Sequence, residues 1–363
     1  MKNLTALLAL LLVVATSCSD KKKGEEVQEK KAYAMAYVDG SIEPNVEKIT
    51  ASSVSHVYFQ VEAQDGKLAS VNAENIKKLV ALKGQKEGLN VLLSVKIKGT
   101  ADAISAEGQN SLIDAIGEMV QKENLDGVEI DCIYNVPAKG KEVDPATKPN
   151  YTSLLSAMRT KLNALEGEGK KYVLAAAIGV DQNFMDNTEI GKALENVDYA
   201  NIKAFDYESR GTVIHHSNLY PSDKYTEPKS SIDETVKSLT VAGVPTEKLV
   251  MGISFYGKTY QIKKGSNKGL GDPYTKKDND ISYTELKDKY VNQNEFFRYS
   301  DGAANVPYLY NFYKQIFVTY DDEESVKAKC SYVASNNMGG IIIKGLESDT
   351  KDYLMKVIDP SFK

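Results

Sequence analysis

The sequence has no tryptophan, and only three cysteines and three histidines among its 363 residues. Each shortage closes off a class of explanation. Without tryptophan, any broad aromatic platform must be built from the 22 tyrosines or nine phenylalanines. Cys18 lies in the N-terminal segment, Cys132 in a strand-like run and Cys330 in a late helical stretch, so no disulfide framework is expected. Only His215 and His216 are neighbours, and with no His-Glu-x-x-His and no cysteine cluster a metal site is not indicated. No glycine-rich phosphate loop of Walker or dinucleotide type occurs, and no cofactor is expected. The net charge of −5 and a pI near 5.5, without a basic tract, argue against a nucleic-acid partner.

Long apolar runs are also missing. Leu4 to Ala15 is too short to span a bilayer, and it follows the single positive charge of Lys2. Ala15-Thr16-Ser17 then leads into Cys18, an arrangement that resembles a bacterial lipoprotein signal cleaved before a lipidated Cys18. Residues 1–17 are thus read as leader. Residues 18–31, charged and nearly free of apolar side chains, are read as a disordered tether. Contact with a membrane is then expected only through the lipid. The anchor would sit in the outer membrane of the cell envelope, on its surface or its periplasmic side, with the chain a monomer.

The remainder contains eight short apolar or alternating runs: 32–37, 56–61, 90–95, 127–133, 172–178, 199–205, 248–256 and 339–345. Amphipathic stretches separate most of them. Asn72 opens one helix, Gly108 to Ser111 another, and Ser231 with Glu234 three residues on makes a capping box. Residues 150–165 and 321–334 complete the helical set. Strands alternating with helices over this length predict a closed (β/α)8 TIM barrel, with an open doubly wound sheet as the alternative. The long gap at 258–319 predicts a small α+β insertion between strands seven and eight. The barrel is then 32–257 together with 320–363.

In such a barrel, functional groups stand at the C-terminal ends of the strands. Those ends supply Tyr37 and Asp39; Glu62; Lys96 and Lys98; Asp131, Tyr134 and Asn135; and Asp181 and Gln182. The later strands add Asp206, Tyr207 and Glu208; Tyr256 and Lys258; and Lys344 and Glu347. Acids, amides and tyrosines on one rim suit a polyhydroxylated ligand, although a charged rim is also what solvation alone produces. The fourth strand, LDGVEIDCIY (125–134), places Glu129, Asp131 and Ile133 on one face. Two acids thus precede an isoleucine where a third would reach the strand end.

Several motifs in order resemble glycoside hydrolase family 18, the chitinase and endo-β-N-acetylglucosaminidase family. They are LNVLLSVKIKG (89–99), DYANIKAFDYESRG (198–211), HHSNLYPS (215–222), KLVMGISFYGKTY (248–260) and the stretch 318–349. The resemblance spans nearly the whole chain after the leader, and the insertion falls where family members carry one. The family's signature strand reads Asp-Gly-x-Asp-x-Asp-x-Glu, and the departures from it concern the chemistry. Asp126, Gly127 and Asp131 match, Glu129 replaces the first inner aspartate, Cys132 replaces a tryptophan, and the general-acid position falls on Ile133. The resemblance implies that the missing glutamate would protonate the leaving oxygen while Asp131 orients the substrate N-acetyl group. Glu129 lies about 13 Å along the strand from that position and Asp131 about 7 Å, too far for either to substitute. A tyrosine position is occupied by Phe205, its preceding methionine by Lys203, and a stacking tryptophan by Lys344, while Asp206 and Ser94 are kept. Two glycines after strand three become Lys96 and Ile97.

No catalytic set is therefore intact. The leading expectation is a pseudoenzyme that binds N-acetylglucosamine-containing oligosaccharides and serves partner glycan-uptake proteins. Its candidate ligand-binding residues are Tyr37, Glu129, Asp131, Tyr134, Lys203, Asp206, Tyr207, Tyr256 and Lys344. A second reading is a protein-interaction module with a decayed sugar site. The third is a chitinase or endo-β-N-acetylglucosaminidase using a displaced acid such as Glu62 or Glu208. Lys96, Lys203 and Lys344 bear on the choice: they either fill the cavity by pairing with Glu129, Asp131 and Asp206, or meet an anionic sugar.

Overall fold

A computed structural model describes residues 32–98, 106–132, 148–167, 169–180, 182–209, 211–226, 230–263, 269–358 and 362. The leader, Cys18 and the tether lie outside these residues, as do Ile133, Tyr134, Asn135 and Asp181. In chain order the first elements are β1 (Tyr33–Asp39), α1 (Val46–Ala51), β2 (His56–Gln64), β3 (Lys67–Leu68) and α2 (Ala73–Ala81). Then come β4 (Asn90–Lys98), α3 (Ala106–Lys122), β5 (Gly127–Cys132), α4 (Lys148–Leu165) and β6 (Val173–Ile178). Next are α5 (Gln182–Asp186), α6 (Ile190–Ala193), β7 (Tyr199–Ile202), α7 (Ile232–Val241) and β8 (Leu249–Ser254). The insertion supplies β9 (Tyr256–Ile262), β10 (Tyr274–Lys277), β11 (Ile281–Ser282), α8 (Tyr283–Glu285), β12 (Phe296–Asp301), β13 (Val306–Asn311) and β14 (Ile316–Thr319). Helix α9 (Glu323–Ser335) and β15 (Gly340–Lys344) close the chain's circuit.

Eight strands pair in parallel, β1–β2–β4–β5–β6–β7–β8–β15 and back to β1, so the sheet is a closed barrel. The short β3 hangs antiparallel on β2. Strand alternation separates two cores. Val128, Ile130 and Cys132 of β5 point outward into the main helix–strand core. Met35, Tyr37, Tyr58, Leu92, Ala175, Phe205, Val250 and Ile342 fill the barrel interior. Asp-Gly at the start of β5 has a structural reason. The Asp126 carboxylate accepts from Val91 N at 2.8 Å and from Lys83 Nζ at 2.7 Å, and a Cβ on Gly127 would meet the Val173 carbonyl oxygen at 2.1 Å. A residue larger than glycine would push β6 off β5.

Helix starts follow local chemistry. Asn72 accepts from Glu74 N and Asn75 N, and Ser231 accepts from Glu234 N at 3.2 Å. The reciprocal capping box occurs instead on α9, between Asp322 and Ser325. The run 248–256, which reads as one strand, divides at the fully buried Phe255. That residue donates from N to Lys344 O at 2.9 Å and accepts on O from Tyr283 N at 3.1 Å. Its backbone thus joins barrel to insertion, and β9 leaves into the sheet β10–β9–β14–β13–β12, with β11 on β9. The insertion core is aromatic: Tyr308 stacks on Tyr299 and on Phe317, with ring centroids 5.3 and 5.2 Å apart.

Candidate functional site

The inner wall rises from an apolar floor to a charged mouth. Above Met35, Tyr58 and Leu92 lies the fully buried Glu129. Its Oε1 accepts from Tyr37 OH at 2.8 Å and Asn201 Nδ2 at 2.7 Å, and its Oε2 from Ser94 Oγ at 2.5 Å. Burial, reinforced by the nearby Asp131 charge, pushes the Glu129 carboxyl up to about 7, against the pull of these donors. Burial and the charge of Glu129 likewise raise the Tyr37 hydroxyl well above its ordinary range.

One layer higher, Asp131 Oδ1 lies 2.6 Å from Lys203 Nζ. Lys96 stands in register with Asp131 on the neighbouring strand. Phe205 is buried edge-on to Tyr37, ring centroids 6.4 Å apart, in space that Gly252 leaves open. Lys344 is half-buried at the end of β15. Its ammonium donates to the Gln60 amide oxygen and lies 6.0 Å from the Tyr37 ring centroid. Burial lowers its pKa, against the pull of Asp39, Glu347 and Asp206.

Asp206 sits on the rim with φ of 63°, in the left-handed region that few non-glycine residues adopt. Tyr256 OH donates to its Oδ1 at 2.8 Å, and Lys258 Nζ approaches the same oxygen at 2.9 Å. Burial pushes the Asp206 carboxyl up, but Lys258, His216 and Tyr256 together hold it below its ordinary value. Lys258 also reaches Asp280 at 3.3 Å.

A profile for glycosyl hydrolases family 18 matches residues 27–349. The chain belongs to this family. It is 31% identical over 305 residues to Chitinase A1 of Niallia circulans, which covers 78% of this chain and 44% of that protein. It is 25% identical over 342 residues to Chitotriosidase-1 of Mus musculus, covering 87% and 70% of the two. The chain therefore spans less than half the length of the first of these relatives. A family 18 N-acetylglucosaminidase from Paenibacillus barengoltzii superposes with a TM-score of 0.80 at 28% identity, over 90% of this chain and 98% of the other. Chitinase ChiW from Paenibacillus sp. str. FPU-7 superposes at 0.77 and 25% identity, over 90% and 32%.

Against this family background, several expectations need correction. The tyrosines expected around the mouth do not present faces: Tyr37, Tyr207 and Tyr256 are all buried. Tyr37 and Tyr256 spend their hydroxyls on carboxylates, while burial raises the Tyr207 hydroxyl, which has no partner among the described residues. Large exposed aromatics stand instead on the insertion, at Phe297, Phe312 and Tyr313, the last 75% exposed. The lysine pairing also differs. Of the three lysines weighed as partners for Glu129, Asp131 and Asp206, Lys203 meets Asp131, while Glu129 is met by neutral donors and Asp206 by Lys258. The proposed displaced acids are engaged on the rim, Glu62 with Lys98 at 2.5 Å and Glu208 with Lys277. Ile133 and Tyr134 lie outside the described residues.

Behind the rim lies a buried network with no mark in the local sequence pattern. Lys329 Nζ lies 2.6 Å from both oxygens of Asp321, and both residues are fully buried. Ser325 and Ser217 donate to Asp321 at 2.7 and 2.9 Å. Ser254 links it to His216 Nε2 at 3.3 Å, and that ring packs 5.7 Å from Tyr256. Burial holds His216 neutral, its pKa pulled down to about 4. His215 is likewise buried, against Asp301 at 3.2 Å. Among the described residues no group of three His, Cys, Asp or Glu is placed to hold a metal, and no helix is long and apolar enough to cross a membrane. Cys132 and Cys330 are buried, and neither forms a disulfide among the described residues.

Proposed function

We propose that this chain is a non-hydrolytic family 18 protein that binds N-acetylglucosamine-containing oligosaccharides at the cell envelope. On this reading a lipid on Cys18 tethers it to the outer membrane, where it hands glycans to uptake or cleavage partners. The observation that carries the proposal is the 2.6 Å contact between Lys203 and Asp131. The carboxylate that would orient a reacting acetamido group is neutralised by an ammonium from the same barrel. Ile133 has no proton to give at the general-acid position, and Phe205 has no hydroxyl. Loss of general-acid assistance alone costs about 10²- to 10⁴-fold in rate. The salt bridges on Glu62 and Glu208 weigh against a displaced acid.

Support for retained binding comes from the rim. Asp206 keeps a partly exposed carboxylate in a strained backbone conformation, fixed by Tyr256 and Lys258. The relatives carry names of chitinases and an N-acetylglucosaminidase, which supports the ligand class. A second reading, a protein-interaction module, is favoured by exposed Phe297, Phe312 and Tyr313 on the insertion. Calorimetric titration with chitotetraose and with N-acetyllactosamine, alongside product analysis after long incubation, separates these readings. Saturable heat without product supports the proposal. Product refutes the claim of inactivity, and silence toward every glycan favours the interaction module.

A further inference from the structure

Most charges at the barrel mouth are answered within the protein. Lys203 meets Asp131 at 2.6 Å, and Lys258 meets Asp206 and Asp280 at 2.9 and 3.3 Å. Glu129 is satisfied by Tyr37, Ser94 and Asn201, all neutral. Lys344 differs. Half-buried at the inner end of β15, its ammonium contacts an amide oxygen, that of Gln60, and the face of Tyr37. The carboxylates in its field are committed elsewhere or turned to water. Asp39 accepts from the Ser41 amide at 2.8 Å and hydroxyl at 2.7 Å, Asp206 holds Lys258 and Tyr256, and Glu347 is exposed. Lys96 adds a second positive charge close enough to act on Lys344.

An ammonium drawn out of water whose partners among the described residues are all neutral loses hydration that it has not recovered from a counter-charge there. An anion entering the mouth would restore it through a charge-assisted hydrogen bond, at a site where solvent screening is weak. A neutral sugar hydroxyl restores less. We infer that the glycan bound here is acidic, and that Lys344 recognises a carboxylate on one of its sugars. The inference rests on the glycan-binding reading and adds the ligand's charge to it. Uronates and sialates both supply such a carboxylate.

Two matched pairs of probes test this by calorimetry in low salt at neutral pH. One is hyaluronan tetrasaccharide against its carboxyl-reduced form. The other is sialyl-N-acetyllactosamine against N-acetyllactosamine. The acidic member of at least one pair is expected to bind about tenfold tighter or more, and the pair that responds identifies the source of the carboxylate. Lys344→Gln, which can still bond Gln60, should bring that ratio close to one, while Lys344→Arg should keep it. Thermal melting of both variants checks that they fold. Equal binding within both pairs overturns the inference and leaves glycan binding intact. A preference that survives Lys344→Gln overturns the role of Lys344. Absence of binding to all four probes and to chitotetraose defeats the glycan-binding reading and the inference with it.

Discussion

Replacing Glu129 by Gln removes one titrating group from the barrel interior while preserving its shape. The amide oxygen still accepts from Tyr37 and Asn201, and the amide nitrogen can donate to Ser94, whose hydroxyl also accepts. In the wild type, burial moves this carboxyl from its ordinary 4.5 up to about 7. Between those values the native state holds a proton that the unfolded chain has released, so stability falls as pH rises through the window. Over the whole window the loss is about 3 kcal/mol, most of which falls between pH 5 and pH 8. Buried histidines act in the opposite direction. His56 and His216 are pulled down from 6.5 to about 4, so each adds stability as pH rises across that range. The wild-type curve therefore mixes opposing slopes, and the informative quantity is its difference from Glu129→Gln, in which the histidines cancel. Urea unfolding at pH 5 and pH 8 should show the wild type losing about 2–3 kcal/mol relative to the variant over that interval. Parallel behaviour of the two proteins would refute the assignment of a buried proton to Glu129.

Other consequences can be measured on the same footing. Lys203→Met leaves Asp131 in the barrel without its counter-charge. Because Lys203 is partly exposed, the cost should be about 1–3 kcal/mol, less than for a fully buried pair, in urea unfolding at neutral pH. Lys329→Met strands a fully buried Asp321 and should cost about 3–5 kcal/mol; a loss below about 1 kcal/mol would show that water reaches the pair. At Asp206, with its φ of 63°, Ala should be about 1 kcal/mol less stable than Asn, which tolerates the left-handed region. Thermal melts of the two variants that coincide would show that the backbone relaxes there.

Much of the fold is written in local patterns. The eight barrel strands begin within about two residues of the apolar runs, because each run is buried on both faces and bounded by polar turns. Asn72 and Ser231 mark helix starts through their own side chains. The division of 248–256 at Phe255 was less visible, since an unbroken apolar run looks the same whether it stays in one sheet or passes into a second. The site was legible as a set of positions and poorly legible as a set of partners. Strand parity singled out Glu129 and Asp131, the family resemblance Lys203 and Asp206, and the structure brings Lys203 to Asp131 and Lys258 to Asp206. Which lysine would hold which acid depends on side-chain reach across the barrel, which the sequence pattern does not encode. Tyr37, Tyr207 and Tyr256 were misjudged because a tyrosine at a strand end can point up to solvent or inward to a carboxylate, with no difference in the pattern. Lys329–Asp321 left no signal: a lysine eight residues after an aspartate at a helix start reads as surface.

On the proposed reading this family 18 barrel holds glycans without cleaving them. The most direct test is incubation of the full chain with an N-acetylglucosamine oligosaccharide that calorimetry shows to bind, followed by mass spectrometry of the sugar. Saturable binding and recovery of the oligosaccharide at its original mass after many hours are expected. Shorter fragments, produced in proportion to enzyme and lost in Asp131→Asn, would contradict it and show that Lys203 does not silence this site.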